Sequence, residues 1–349
     1  MNLGRNLMYM NEEISLANGA GGEAYRQMVQ EIFIPGYGSP ELNQLGDSAV
    51  LAGPGGSGEL AFTTDSFVVW PLFFPGGDVG SLAVSGTVND LAVAGAIPRY
   101  ISVAMIIEAG FPTETLKRIT ASIAATAERA GVRVVTGDTK VVEHGRADGI
   151  YITTSGVGTF DGNWPRPPQQ PCAGDALLVS GPLASHGVAV MAAREKLEFE
   201  PPLQSDARPL AGLIRSLLDS GLSVHAMRDP TRGGLGATLC EWAEDSGLNL
   251  TIKETDLPVK AEVRAACDLL GLDPLFCANE GVVALALPAD QAEAAVACLR
   301  AHPDGRAARI IGQVSAGLPG QPGHVSVDTG YGTLRRVTLP EGEILPRIC

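Results

Sequence analysis

The sequence predicts an α/β protein, with α+β character, that is built from two domains. At 349 residues the chain is longer than one ordinary core accommodates, so two domains of roughly 150 residues each are expected. Strand-like and helical runs alternate along it, and 43 glycines and 24 prolines provide turns between them. The segment 161–171, DGNWPRPPQQP, is too rich in proline for either element and indicates a boundary. We therefore predict domains over residues 1–165 and 170–338, followed by a mobile tail over 339–349.

The first domain shows clear local signals. Predicted strands cover residues 48–52, 60–67, 132–139 and 149–158. Predicted helices cover residues 78–96 and 112–130, and the second has apolar residues at three- and four-residue steps. Gly131 directly follows that one-sided surface helix and is typical of a helix end.

The second domain repeats a similar order of elements, without a detectable sequence repeat. Predicted strands cover residues 175–181, 282–287, 309–314 and 324–327. Predicted helices cover residues 187–196, 206–219 and 290–300. The similar order suggests two related α/β domains.

Composition limits the partners. A net charge of −14 opposes binding to nucleic acid or to anionic lipid, because both would meet like charge. No apolar run approaches the roughly 18 residues that cross a bilayer, so no membrane partner is expected. The start MNLGRNLMYMNEE lacks the basic and apolar regions of a signal peptide, and we expect a cytoplasmic protein.

Aspartates recur at turns and strand ends beside small residues. The five are Asp47, Asp65, Asp90, Asp138 and Asp229. Each taken singly is typical of a solvated turn, but several converging would suit Mg²⁺ that carries a polyphosphate such as ATP. The glycine cluster NGAGG, Asn18–Gly22, is either a plain loop or a set of N–H donors for phosphate. The Walker pattern and the dinucleotide fingerprint are both absent, so a bound nucleotide requires another architecture.

Two further charged residues each have two possible roles. Lys140 follows TGDT, where it either pairs locally with Asp138 or offsets charge on a transferring phosphate. Glu280 in CANEG is either a turn carboxylate or a general base. The five histidines lack metal-ligand spacing, which favours surface or structural roles.

The chain ends with Pro-Arg-Ile-Cys, and Cys349 is its last residue. Two prolines and no periodicity after residue 339 predict a mobile tail, and ten extended residues span roughly 33 Å. The terminal carboxylate raises the thiol pKa and Arg347 lowers it, so charge alone does not show activation. Cys349 is either a stray terminal cysteine or a carrier that reaches a distant site. The other five cysteines lack paired spacing and are predicted to be small buried hydrophobes.

Together these motifs resemble the HypE family of hydrogenase maturation proteins, within the PurM-like ATP-binding superfamily. The resemblance covers nearly the whole chain, and its motifs occur in the family's order. They are residues 63–96, TGDTKVV, RDPTRGGLGATL, ANEG and the terminal PRIC. The terminal motif is the most specific of them. The resemblance implies a two-domain PurM-like fold, with a first-domain sheet that forms a barrel with a second copy's sheet in a homodimer.

The resemblance also implies an activity. A partner carbamoyltransferase, HypF, would place a carbamoyl group on the Cys349 sulfur, and ATP-driven dehydration would leave a thiocyanate. The cyanide would then pass to the iron of a [NiFe]-hydrogenase through a HypC–HypD complex. Cys349 would be the carrier, Glu280 the base, and Lys140 its assistant.

The same resemblance implies a ligand set for ATP and Mg²⁺. Nucleotide-binding positions are Gly19, Gly21, Gly22, Asp47, Asp65, Asn89, Asp90 and Asp138. Four of them, Asp47, Asp65, Asp90 and Asp138, are also the expected metal ligands. The chain departs from the family at Asn18, where histidine is usual, and at Ser185, where aspartate is common.

Two other functions remain open at this stage. A selenophosphate synthetase-like enzyme would need a cysteine or selenocysteine near the N-terminal glycine cluster, whereas the first cysteine here is Cys172. A non-catalytic scaffold for the other maturation proteins would tolerate loss of Asp90 and Asp138.

Overall fold

The structure is a computed structural model that describes residues 13–19, 22–53, 58–160, 162, 164–318, 320–339, 345 and 347–349. These residues form two main open sheets, each packed against helices. Gly21, one of the expected phosphate-binding residues, lies outside the described residues. None of the helices in these ranges is long and apolar enough to cross a membrane.

The first half of the chain contains four α-helices and seven strands among the described residues. The helices are α1 (Glu23–Met28), α2 (Ile34–Tyr37), α3 (Val79–Val93) and α4 (Thr113–Ala130). The strands are β1 (Ala49–Ala52), β2 (Glu59–Phe67), β3 (Phe73–Phe74), β4 (Gly77–Asp78), β5 (Ala96–Glu108), β6 (Arg133–Val142) and β7 (Ile150–Phe160). All four strands and both helices predicted for this half are confirmed.

The first sheet has the strand order β1-β2-β7-β5-β6. Only β5 and β6 run parallel, because α4 crosses between them, and the other pairs are antiparallel. The sequence patterns do not predict β5. This strand lies between β7 and the edge strand β6, and its sequence is an almost continuous apolar run that contains Pro98, so the alternation of a half-buried strand is absent.

Helix α3 lies against one face of this sheet and is buried along almost its whole length. Asp78 caps its start by accepting hydrogen bonds from the backbone N–H groups of Gly80 (2.7 Å) and Ser81 (3.1 Å). Midway, a side chain at Gly86 would place a Cβ 2.9 Å from the Phe67 ring. Glycine at this position therefore lets α3 approach β2 closely, which brings Asp90 towards Asp65.

The opposite face of the first sheet has no helix among the described residues. Phe62, Tyr100 and Ile106 expose 40%, 41% and 44% of their surfaces there. Hydroxyl groups lie on the same face, and Ser66 and Thr153 are 3.0 Å apart. A sheet face that combines exposed aromatic and aliphatic side chains is typical of an interaction surface.

The second half contains one seven-stranded sheet and five α-helices among the described residues. Its strands are β8 (Asp175–Val179), β9 (Ala226–Arg228), β10 (Asn249–Lys253), β11 (Ala284–Pro288), β12 (Arg309–Ser315), β13 (Val325–Asp328) and β14 (Leu334–Val337). Its helices are α5 (Ser185–Arg194), α6 (Ala211–Leu218), α7 (Gly234–Ser246), α8 (Ala261–Leu270) and α9 (Ala292–Ala301). The four predicted strands and three predicted helices are confirmed, but α6 begins five residues later than expected.

The late start of α6 has a physical cause. Asn89 of α3 is fully buried, and its side-chain oxygen accepts a hydrogen bond from the Leu210 N–H at 2.7 Å. Its side-chain nitrogen donates to the carbonyls of Arg208 (3.1 Å) and Glu280 (3.3 Å). These bonds engage the backbone of Arg208 and Leu210 ahead of the helix, and they tie the two halves of the chain together.

Candidate active site

A cavity of about 630 Å³ lies where the two halves meet. The first half contributes α1, the loop before β1, β2 and α3. The second half contributes β9, the residues that lead into α7, and the loop before β11. The last residue of the chain, Cys349, also lines it. This volume is within the usual range for a small-molecule site.

Five aspartates line this cavity, and four of them cluster near one another, namely Asp47, Asp65, Asp90 and Asp229. The Thr63 hydroxyl joins two of them, because it lies 2.8 Å from an Asp90 carboxylate oxygen and 2.9 Å from the Asp47 carbonyl. Burial, together with the charges of Asp65 and Asp229, raises the pKa of Asp90 well above its ordinary value. Burial and the charge of Asp47 likewise raise the pKa of Asp229 to about 8.

Two arginines, Arg228 and Arg232, neutralise part of this cluster, and Arg232 acts on Asp65. The Arg228 guanidinium lies 3.3 Å from Asp47 and also pairs with Glu241. One oxygen of Asp229, in contrast, is buried without a hydrogen-bond partner among the described residues. Converging carboxylates that lack enough cations are the ligand set that Mg²⁺ prefers, so the residues present fit a divalent ion. A bound ion there would offset the charge of a nucleotide's phosphates.

A second group of charges surrounds the terminal thiol. The Arg232 guanidinium lies 3.9 Å from the Cys349 sulfur and 5.9 Å from the centre of the Tyr25 ring. Glu280 is buried, and one of its oxygens has no hydrogen-bond partner in the described part of the chain. Burial, followed by the charges of Asp229 and Asp206, raises the pKa of Glu280 well above its ordinary value. Such a carboxyl group is available to take a proton from a ligand.

The tail reaches this cavity by pairing with the residues after β2. The Val68 N–H donates to the Cys349 carbonyl at 3.0 Å, and the Trp70 N–H donates to the Arg347 carbonyl at 3.3 Å. Ile348 between them is 4% exposed. The predicted reach of the tail therefore has a structural counterpart, in which the chain end is docked inside the protein. Residues 340–344 and 346 lie outside the described residues.

Five of the site residues expected from the sequence line this cavity: Asp47, Asp65, Asp90, Glu280 and Cys349. Asn89 instead serves the junction between the two halves, through the three hydrogen bonds given above. Gly19 ends a short 3₁₀ helix and Gly22 precedes α1, and neither lines the cavity. The wall that this segment supplies comes from α1, including Tyr25.

Asp138 and Lys140 lie apart from the other expected residues within one chain. They pair with each other at 2.5 Å on β6, the edge strand, and both are more than 60% exposed. Asp65 is in register with Thr154, Val103 and Gly137 across the sheet. Three strand spacings place Asp138 roughly 14 Å from Asp65, and alternation points it to the opposite face. Asp138 therefore does not meet Asp65 and Asp90 within one chain, and its expected part in binding Mg²⁺ and phosphates stays a prediction.

Two residues of the cavity were missed as site residues. Asp229 had been noted only as one of the recurring aspartates, and Arg232 had not been singled out at all. Both belong to RDPTRGG, which places Asp229 directly after β9 and Arg232 just before α7. The signal was a compact motif of opposite charges and glycines between two elements, and such loops commonly carry function.

The docked position of Cys349 predicts that its thiol reacts slowly with alkylating reagents. Burial raises its pKa from the usual 9 to about 11, although Arg232 acts in the opposite direction. At pH 8 the thiolate fraction should therefore be about 100-fold lower than in a free tail peptide. We expect iodoacetamide to alkylate Cys349 at least that much more slowly in the folded protein.

Quantitative mass spectrometry of the C-terminal peptide checks this expectation. Cys172 is the internal reference because its side chain is exposed, contrary to its expected burial. It should react at an ordinary rate in the folded and the denatured protein. Equal rates for Cys349 in folded protein and in free peptide would contradict the docked arrangement.

The two halves each match a protein family. Residues 45–160 match the AIR synthase related protein, N-terminal domain, and residues 173–320 match the AIR synthase related protein, C-terminal domain. Fold and cavity thus define a two-domain AIR synthase-related protein with an acidic site between its halves. A structure of AaThiL complexed with AMPPCP and TMP shares this fold at a TM-score of 0.66 and 20% identity.

Relatives of higher sequence identity show to which family within this class the chain belongs. The chain is 46% identical to carbamoyl dehydratase HypE of Azotobacter vinelandii over 97% of this chain and 98% of that protein. It is 45% identical to carbamoyl dehydratase HypE of Escherichia coli K12, with 96% and 99% covered. The chain belongs to the carbamoyl dehydratase HypE family. A crystal structure of a HypE–HypF complex is similar at a TM-score of 0.84 and 44% identity, covering 90% of this chain and 99% of that one.

Proposed function

We propose that the protein uses ATP to dehydrate a carbamoyl group on its own Cys349 sulfur, leaving a thiocyanate that supplies cyanide for hydrogenase maturation. The observation that carries this proposal is the Cys349 sulfur beside Arg232 in the same cavity as the carboxylate cluster and Glu280. The family supports it, because its curated members are named carbamoyl dehydratases. A HypE structure in complex with ATP, 41% identical, supports the nucleotide.

The reaction balances as a dehydration driven by ATP. The carbamoyl oxygen attacks the γ-phosphorus and ADP leaves, so the oxygen becomes part of a phosphate leaving group. The nitrogen then loses both of its protons while the carbon–oxygen bond breaks, which gives the nitrile, ADP and phosphate. In this proposal one proton goes to Glu280 and the other to the departing phosphate, and Arg232 offsets negative charge near the sulfur; the shared cavity and the position of Arg232 beside Cys349 support these roles.

Mg²⁺ is the proposed partner of the nucleotide, held by Asp47, Asp65 and Asp90. It would screen the phosphate charges during transfer. The orphaned oxygen of Asp229 and the raised pKa values of Asp90 and Asp229 support a cation at this position. The glycine segment that includes Gly19, Gly21 and Gly22 remains a proposed phosphate contact.

We propose a homodimer built on the uncovered face of the first sheet, in which two sheets form a barrel. The exposed side chains of Phe62, Tyr100 and Ile106 support it. Asp138 and Lys140 lie on this same face, because they are in register with Ala104 and Ile106. Their contribution to a nucleotide site therefore depends on a second copy.

The proposed partners follow from the reaction. HypF is the proposed carbamoyl donor, which the similar HypE–HypF complex supports. A HypC–HypD complex is the proposed acceptor of cyanide, and the proposed setting is the cytoplasm.

Selenophosphate synthesis is not favoured, because no cysteine precedes Cys172 and the close relatives are carbamoyl dehydratases. A non-catalytic scaffold role would not account for the buried carboxylates around the Cys349 thiol.

Mass spectrometry of the C-terminal peptide tests the function. After incubation with HypF, carbamoyl phosphate and ATP, we expect cyano-Cys349 to form. If the ATP bound by this protein cannot be hydrolysed, carbamoyl-Cys349 should accumulate instead. The Cys349→Ser variant should form neither adduct, while a Cys172→Ser variant should behave as wild type. Absence of both adducts from the wild-type protein would refute the proposal.

A further inference from the structure

The docked tail leaves one backbone group that strand pairing cannot satisfy. The carbonyls of Arg347 and Cys349 accept hydrogen bonds from Trp70 and Val68, in the manner of a strand added to an edge. Among the described residues, no backbone N–H donates to the Ile348 carbonyl between them. Ile348 is 4% exposed, so this carbonyl requires an internal donor.

His186 is that donor. Its Nε2 lies 2.9 Å from the Ile348 carbonyl, and its Nδ1 lies 2.8 Å from the Ser205 hydroxyl. The Ala207 N–H donates to the same hydroxyl at 3.0 Å, so the Ser205 hydrogen is directed to Nδ1. With Nδ1 as acceptor, Nε2 carries the proton and donates to the tail.

The surroundings fix His186 in this state. The side chain is fully buried, and burial lowers its pKa to about 4, so it is neutral at physiological pH. The Phe74 ring meets it edge-on at 5.4 Å. Ser205 is held by a close approach of Gly76, whose φ is +92° and where a Cβ would lie 2.8 Å from the Ser205 backbone. The donor is therefore rigid and has one tautomer.

We propose that His186 is a positioning residue that holds the carrier tail in its docked state and thereby sets the balance between dehydration and loading. The inference rests on the proposed function. Docking places the half-buried Cys349 beside Arg232 in the cavity between the two halves, where the surrounding residues restrict its access to a second protein. Loading consequently requires the tail to leave, and dehydration requires it to return.

Weaker docking of the tail should therefore change the rates of carbamoyl loading and of dehydration in opposite directions. In His186→Leu, the buried Ile348 carbonyl loses its donor, which should favour the undocked tail about tenfold. We expect the rate at which HypF carbamoylates Cys349 to rise and the single-turnover rate of dehydration of carbamoylated protein to fall. The ratio of the first rate to the second should increase about tenfold, because it follows the equilibrium between undocked and docked tail. His186→Gln keeps an N–H donor and should restore much of both rates.

A second variant weakens docking of the tail at the protein surface. Asp148 pairs with Arg347 at the surface, and Asp148→Asn removes that charge without disturbing the core. It should shift both rates in the same two directions and raise the ratio of loading to dehydration roughly threefold, as expected for one exposed ion pair. Because this residue is on the surface, the variant remains informative if His186→Leu does not fold.

Alkylation of Cys349 separates the two proposals, since it requires no enzymatic step. His186→Leu should speed alkylation about tenfold relative to wild type, with Cys172 as the unchanged reference. If wild-type protein forms no cyano adduct but this acceleration occurs, the proposed function is refuted, whereas the role of His186 in docking the tail is supported. Unchanged alkylation in His186→Leu and Asp148→Asn, or a parallel fall of loading and dehydration in both, would overturn the inference.

Discussion

Replacing Glu280 with glutamine is expected to lower the single-turnover rate of cyano-Cys349 formation about 1,000-fold, as typical for loss of a general base. The amide keeps the shape of the side chain but takes up no proton. Glu280 is buried in the cavity that Cys349 also lines, and one of its oxygens has no hydrogen-bond partner among the described residues. The measurement is mass spectrometry of the C-terminal peptide after ATP is added to protein already carbamoylated.

The pH profile supplies a second readout of the same group. A base must be ionised, so the rate should rise with pH and level off above the pKa of Glu280. Burial and the charges of Asp229 and Asp206 raise that pKa, so the plateau should begin at a higher pH than for an ordinary glutamate. Glu280→Gln should lose this rise.

Two controls define what the Glu280 result means. Glu280→Asp keeps the carboxylate one methylene further back, so its rate should fall between those of wild type and Glu280→Gln. Nucleotide binding should remain within a few-fold of wild type in both variants, because the cluster of Asp47, Asp65 and Asp90 is intact. Full dehydration activity in Glu280→Gln would remove Glu280 from the mechanism.

The second large effect concerns the carboxylates on the two faces of the first sheet. Asp65→Asn and Asp138→Asn are each expected to abolish Mg²⁺-dependent ATP turnover while the protein stays folded. The reasons differ. Asp65 belongs to the buried cluster of its own chain, whereas Asp138 lies on the exposed face of edge strand β6. If Asp138 serves the site of a second copy, the two defects should complement each other.

Mixed dimers test this arrangement. When equal amounts of the two variants are unfolded together and refolded, half of the dimers should be mixed, and each mixed dimer should have one intact site. Turnover should therefore return to about one quarter of the wild-type value per chain, by the symmetry of a twofold dimer. Mixtures that stay inactive, although mixed dimers are present, would exclude action across the dimer. Retained turnover in Asp138→Asn alone would remove Asp138 from the site.

The sequence by itself determined the fold class, most elements and the residue types of the site. Helix α4 and strands β1, β2 and β7 follow from local periodicity and turn residues, which act over a few positions. Strand β5 is not predicted in this way because apolar residues such as Tyr100 and Ile106 also lie on its exposed face, which removes the alternation that identifies a half-buried strand. The predicted cavity residues Asp47, Asp65, Asp90, Glu280 and Cys349 came from motifs and from resemblance, not from any local rule about contacts.

Only the tertiary structure decided which of these residues meet. Asp65 and Asp138 both lie on strands of one sheet, but register and alternation place them on opposite faces, and no local pattern encodes that. The structure also showed that Asp229 and Arg232 complete the cavity, and that His186 holds the tail through a backbone carbonyl. Contacts of this kind join residues more than a hundred positions apart, so they depend on packing between the two halves and not on the sequence near either partner.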